Sequence, residues 1–138
     1  MWVLYALLAA GFASLTAIFA KIGIQNVNSN LAVAIRTAVV LVIAWSFVLF
    51  AGKHNEISSI SQKSWIFLVL SGCATGCSWL FYYRAMQIGP VSKVVPIDKL
   101  SVVITMVLAF VILGEKADIK TVIGGILIAA GTLVLALK

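Results

Sequence analysis

The sequence predicts an all-α fold, a polytopic membrane bundle of about five transmembrane helices. Three observations carry that expectation. Five apolar runs follow one another, each near the roughly 20 residues that an α-helix needs to cross hydrocarbon. The runs are continuously apolar and lack the alternation of a lipid-facing barrel strand. Of the 138 residues 63% are hydrophobic and only 10% charged, with a mean hydropathy of +1.17. A soluble domain carries roughly a quarter of its residues as charges. So large an apolar surplus cannot be hidden in a soluble core of this size, because small domains keep a large surface.

The first span is predicted over residues 2–21. It lacks the basic start of a signal peptide and exceeds a usual signal-peptide apolar core, so it reads as a retained span. Residues 22–30, rich in Asn and Ser, form a turn. The second span covers 31–50, interrupted only by Arg36, and 51–64 is the longest polar loop. The third span covers 65–86 and stops at Gly89-Pro90, since Gly favours a helix C-terminus and Pro cannot continue the helix. The fourth covers 92–113, with Pro96 in its first turns, where a missing N–H is most tolerable. After a short loop Asp118 serves as N-cap for the fifth span, 119–137. No linker or internal repeat divides the chain, so residues 1–138 read as a single transmembrane domain.

The net charge of +6 does not point to a nucleic-acid partner. The basic residues sit at the ends of apolar runs and inside them, and form no basic stripe on a polar surface. The lipid bilayer is the expected surrounding. An odd number of spans puts the termini on opposite sides. Lys53, Lys63, Lys116 and Lys120 then fall on one side, and Lys21, Lys93 and Lys138 on the other, with Arg36, Arg84 and Lys99 deeper. This near balance predicts weak or dual orientation.

Ionisable groups within spans are costly and are functional candidates by default. Arg36 and Asp98 each lie about six residues into their spans, about 9 Å deep at roughly 1.5 Å per residue. Lys21 and Arg84 end spans one and three on the same side, and Lys99 follows Asp98. These five are the candidate substrate-binding residues. The alternative is a structural role for the set, with Lys21, Arg84 and Lys99 snorkelling to the interface and Arg36 paired with Asp98 between spans two and four. One carboxylate cannot neutralise four cations, however, and an anionic or carboxylate-bearing small molecule suits the excess.

Thr75, Ser78, Trp79 and Tyr82 form a polar stripe at helical spacing, and Asp98, Ser101 and Thr105 form another. Facing each other they would line a pathway; otherwise they are interhelical hydrogen-bonding groups of the kind bundles use routinely. Trp79 lies too deep to be an interface anchor. Gly72 and Gly76, and Gly124 and Gly131, are spaced for close helix approach, within the chain or between copies. The last pair lies on a span with no ionisable residue in its interior and is the candidate dimer contact. Cys73 and Cys77 share a helix face as small packing residues. No nucleophile–base set, metal-ligand cluster or Gly-rich phosphate loop is visible, so neither an enzyme nor a cofactor or metal is expected.

From Tyr83 onward the sequence YRAMQIGPVSKVVPIDKLSVVITMVLAFVILGEKADIKTVIGGILIAAGTLVLAL resembles the EamA-like domain of the drug/metabolite transporter superfamily. The resemblance rests on Arg84-Ala85, Gly89, Ser92, Pro96, the DKLS run at Asp98 to Ser101, Ala109, LGE at Leu113 to Glu115, and Gly124 and Gly131. Lys21 and Arg36-Thr37 are similar to the short, single-domain members. The resemblance implies a five-helix unit, one of the two that most members fuse in inverted orientation, and export or exchange of small metabolites. Related four-helix multidrug exporters work as antiparallel dimers and depend on a glutamate in the first helix. This first span has no acidic residue, which argues against proton-coupled export of cationic drugs. The expectation is a half-size secondary transporter acting as an antiparallel homodimer in a prokaryotic inner membrane. The competing expectation is a non-transporting subunit or scaffold that assembles with a homologous partner.

Overall fold

The computed structural model describes residues 1–137; Lys138, counted above for orientation, lies outside them. The described residues form helices α1 (Trp2–Gly23), α2 (Ser29–Phe50), α3 (Gln62–Ile88), α4 (Val91–Asp98), α5 (Leu100–Ile112) and α6 (Ile119–Ala136), with a 3₁₀ segment at Lys53–Ser59 and no strand. Five stretches are long and apolar enough to cross a membrane: α1, α2, α3, α4 with α5, and α6. Most large apolar side chains on them are exposed, among them Phe12, Phe19, Phe47, Phe81 and Val111. A soluble protein does not expose apolar surface on this scale, so lipid is the medium that covers it. Hydroxyls on these faces satisfy themselves within their own helix. Ser14 donates to the Ala10 carbonyl, Thr16 to Phe12, Thr37 to Val33 and Ser46 to Val42. No water is available at that depth to do so.

Helix ends follow local chemistry. Asn28 caps α2, its side-chain oxygen accepting from the Asn30 N–H at 2.9 Å, so α2 begins slightly earlier than the apolar run alone suggests. Pro90 stands before α4 and α3 stops at Ile88, as the Gly89-Pro90 pair requires. Asp118 occupies the N-cap position of α6 through its backbone, with no capping bond from its side chain. Gly52 and Gly114 both have φ +67°, the left-handed region where a Cβ is penalised. Gly114 ends α5 and lets the Glu115 N–H turn back onto the Ala109 carbonyl at 3.2 Å.

The chain folds as two compact units. The first, Ile18–Gln87, contains the end of α1, all of α2, the 3₁₀ segment and nearly all of α3. Its buried residues are Ile24, Ser29, Val33, Tyr83 and Met86. The segment expected as a plain polar loop contains the 3₁₀ turn, and the Lys53–Glu56 ion pair lies within it.

The second unit joins Met1–Ala17 to the chain from Ile88 onward. Here the fourth span is not one helix. Pro96 has no N–H to donate one turn back, and its ring crowds that turn. Two residues later the α pattern yields to three-residue steps, with Lys99 N–H donating to Pro96 O and Val102 N–H to Lys99 O, both at 3.0 Å. The break separates α4 from α5 at Lys99. Thr132 on α6, 5% exposed, donates its hydroxyl to the same Pro96 carbonyl at 3.3 Å. Elsewhere α6 meets α5 at Gly125, where a Cβ would stand 3.1 Å from the Met106 sulfur.

Candidate functional site

Among the candidate cations, Arg36 has the most constructed surroundings. It lies on α2, two turns in from the Asn28 cap. Its guanidinium carbon lies 4.3 Å from the centroid of the Trp79 ring and 5.6 Å from that of Tyr83. Its Nη1 donates to the Tyr83 hydroxyl at 3.3 Å. Trp79 and Tyr83 are four residues apart and therefore share a face of α3. Tyr82 packs edge-on to Tyr83, ring centroids 6.2 Å apart. A cation over the face of an aromatic ring is attracted by the ring's quadrupole, and this steadies the guanidinium without cancelling its charge.

The same face of α3 continues to Met86 and Gln87 and there fastens the turn between α1 and α2. Lys21 Nζ donates to the Met86 carbonyl. Gln87 Nε2 donates to the carbonyls of Val27 at 2.9 Å and Ile24 at 3.4 Å. Arg84, exposed on the neighbouring face, donates to Gln87 Oε1 at 3.0 Å. Ala20, Gly23, Ile24, Val27, Ala32 and Ile35 join Arg36 and Tyr83 around a cleft of about 220 Å³. Within Ile18–Gln87 the cations are Lys21, Arg36, Lys53, Lys63 and Arg84, and the carboxylate is Glu56 alone. Glu56 is engaged by Lys53, beyond the opposite end of α2 and about 20 Å along the helix axis from Arg36 at 1.5 Å per residue. Arg36 and Arg84 therefore lie at an end of this unit where none of its own carboxylates stands.

The second unit holds the remaining candidates. Asp98 lies beside Lys99, carboxylate oxygen to ammonium 3.8 Å, both partly exposed at the α4–α5 break. Ser101 and Thr105 line a separate cleft of about 430 Å³ with Thr121, Glu115 and apolar residues of α5. The stripe on α3 splits in function. Trp79 belongs to the Arg36 site, whereas Thr75 gives its hydroxyl hydrogen to the Ser71 carbonyl and Ser78 is exposed. Cys73 and Cys77, expected as buried packing residues, are exposed, because the packing end of α3 is the Tyr83–Gln87 end. Among the described residues, none beyond their own helix backbone comes within 4 Å of a built Cβ on Gly72, Gly76, Gly124 or Gly131. None of the four serves close packing inside the chain; Gly125, which the spacing argument passed over, does. Tyr83, Gln87 and Thr132 also escaped the sequence reading. For Tyr83 and Gln87 the available signal was their i+4 and i+8 spacing from Trp79.

The EamA-like transporter family matches residues 1–137, through both units and all five spans. The chain belongs to the EamA-like transporter family. A protein described as an uncharacterized transporter in the cobO 3′ region of Sinorhizobium sp is similar to this EamA-like chain. The two are 45% identical over 135 residues, 98% of this chain and 96% of that protein. No solved structure matches the chain at a significant level. The family membership and the five apolar spans make this an integral membrane protein of a transporter family, and they point away from an enzyme.

Proposed function

We propose that this EamA-like protein is a half-size secondary transporter for a small anionic, carboxylate-bearing metabolite, working as an antiparallel homodimer. The observation that carries the reading is Arg36, a guanidinium inside a span, set against Trp79 and Tyr83, with its unit's one carboxylate engaged at the far end. A charge held within a membrane span is expensive, and a transient anionic substrate is a ligand that such a charge is built to meet. Family membership supports transport. The bacterial relative of nearly the same extent supports a prokaryotic membrane and a single-unit length.

The antiparallel dimer follows from transporter geometry. Secondary transporters bind substrate near the midplane, between repeats of inverted topology. This chain supplies one such repeat, with its cationic layer towards one membrane surface. Two copies in opposite orientation place equivalent layers on either side of the midplane. Gly124 and Gly131 on α6 are the proposed contact, since a Cβ built on either meets open space among the described residues.

Purified protein in liposomes tests the function. Counterflow of a labelled small carboxylate by this chain alone is the expected result. Arg36→Gln should reduce it at least about tenfold, the loss that accompanies roughly 1.4 kcal/mol of binding energy. Stable protein without flux of any anion, recovered only with a homologous partner, would favour the subunit or scaffold reading.

A further inference from the structure

The Arg36 cleft carries information about its ligand beyond the sign of the charge. The Arg36 guanidinium carbon lies 4.3 Å from the Trp79 ring centroid, and a guanidinium meets an anionic ligand through the N–H groups on its edge. Tyr83 accepts one of those donors. The edge of a guanidinium is a planar fork that matches a carboxylate with two parallel hydrogen bonds. Beyond Arg36 and the Tyr83 hydroxyl, every side chain around the cleft is apolar or absent: Ala20, Gly23, Ile24, Val27, Ala32 and Ile35. Such walls offer no partner to a second charge or to a hydroxyl on the ligand body, and a buried polar group without a partner is expensive. The cleft is small as well. Its 220 Å³ lies below the roughly 300–1,000 Å³ of pockets for drug-sized ligands. At a water molecule's share of about 30 Å³ per non-hydrogen atom, it holds about seven such atoms.

We infer that the ligand of this site is a monocarboxylate with a compact, unsubstituted apolar body of about four carbons, its planar head group held by the edge of Arg36 and its tail among Ile24, Val27 and Ile35. This rests on the anionic-substrate reading and narrows it. The apolar walls disfavour a second charge or hydroxyls on the ligand body, and so dicarboxylates and polyhydroxy acids. Arg36 selects the head group and Ala32 helps to set the depth.

The test is binding to the full chain in phospholipid nanodiscs, read by tryptophan emission and by shift in unfolding temperature. Trp79→Phe identifies the part of the emission change that comes from the site. The probes are acetate, propionate, butyrate, isovalerate, hexanoate and decanoate, with succinate, glycerate, inorganic phosphate and isovaleramide as contrasts. Affinity should rise roughly fourfold per added carbon from acetate to isovalerate, the equivalent of about 0.8 kcal/mol per buried methylene, and stop rising by decanoate. Arg36→Lys keeps the charge but loses the fork and the stacking, and should weaken isovalerate about tenfold. Lys63→Gln, at the other end of α3, should leave binding unchanged. Ala32→Phe, which fills the cleft and spares the charge, should exclude isovalerate and retain acetate. That variant keeps the test decisive if Arg36→Lys fails to fold.

Phosphate, succinate or glycerate binding as well as isovalerate would overturn the apolar-body inference and leave the anionic-substrate reading standing. An affinity still climbing at decanoate would likewise overturn it, in favour of a fatty acid drawn from the bilayer. Equal binding of isovaleramide, or no binding of any anion, would overturn both.

Discussion

Trp79 is a candidate on the sequence because it is an aromatic residue too deep in its span to be an interface anchor. In the fold its partner is the Arg36 guanidinium, at 4.3 Å. Gln87 has no such prominence in the sequence, yet its amide ties α3 to the carbonyls of Ile24 and Val27. These two carbonyls lie in the turn after α1, where the regular helical ladder has ended. Gln87→Ala should therefore destabilise the protein by about 1–3 kcal/mol, the cost of leaving the part-buried Val27 carbonyl without this donor, while the Ile24 carbonyl keeps the Val27 N–H. Gln87→Glu is a sharper probe: it keeps the size but replaces the donating amide with a carboxylate that has nothing to give. Denaturant titration of the reconstituted protein reads both. A loss below a few tenths of a kcal/mol for both variants would mean that the turn holds by other means.

At the scale of elements, the interrupted fourth span is the feature with most consequence. Pro96 alone permits a kink; the kink is fixed because Thr132 on α6 supplies a hydrogen to the Pro96 carbonyl. Hydrogen bonds between membrane helices contribute about 0.6 kcal/mol on average, rarely more than about 1.7. Thr132→Val, nearly the same shape, should cost about that much, and Thr132→Ser should recover most of it. Gly125 is the companion contact. With the Met106 sulfur 3.1 Å from a built Cβ, Gly125→Leu should cost about 1–3 kcal/mol through overpacking. Gly124→Leu, one residue away with open space around it, should leave the isolated chain nearly unaffected. Equal stability loss at both positions would show that α6 packs on α5 by a different face. Gly114→Ala should cost about 1–2 kcal/mol for a Cβ in the left-handed region, with its effect at the end of α5.

The whole molecule is where the proposed dimer is decided. Replacing Gly124 and Gly131 together by Leu should convert dimers to monomers and abolish flux, while membrane insertion stays intact. Cysteines placed near the start of α6, in a background with Cys73 and Cys77 replaced, should cross-link only to partners near its end. Efficient same-end cross-linking would rule out the antiparallel arrangement. The near balance of basic residues between the two sides predicts that C-terminal reporter fusions give both cytoplasmic and external signals. A single orientation that survives moving one or two lysines would show that topology is set by something other than charge.

The solvent, the number of spans and most of their ends are legible in the sequence. Those properties are local: twenty apolar residues cross a bilayer wherever they lie, and Gly89-Pro90 stops a helix whatever it packs against. The sequence also marked Lys21, Arg36 and Arg84 as candidates, because a charge in an apolar run is conspicuous without any neighbour. The tertiary structure alone decided which neighbours each charge has. It gave Arg36 to Trp79 and Tyr83, residues more than forty positions away, and tied Lys21 to the Met86 carbonyl. It also turned the spaced glycines outward while using Gly125 inside. The helical period puts residues on a common face, but which face meets which helix depends on the packing of all of them together. No spacing rule within one helix contains that information.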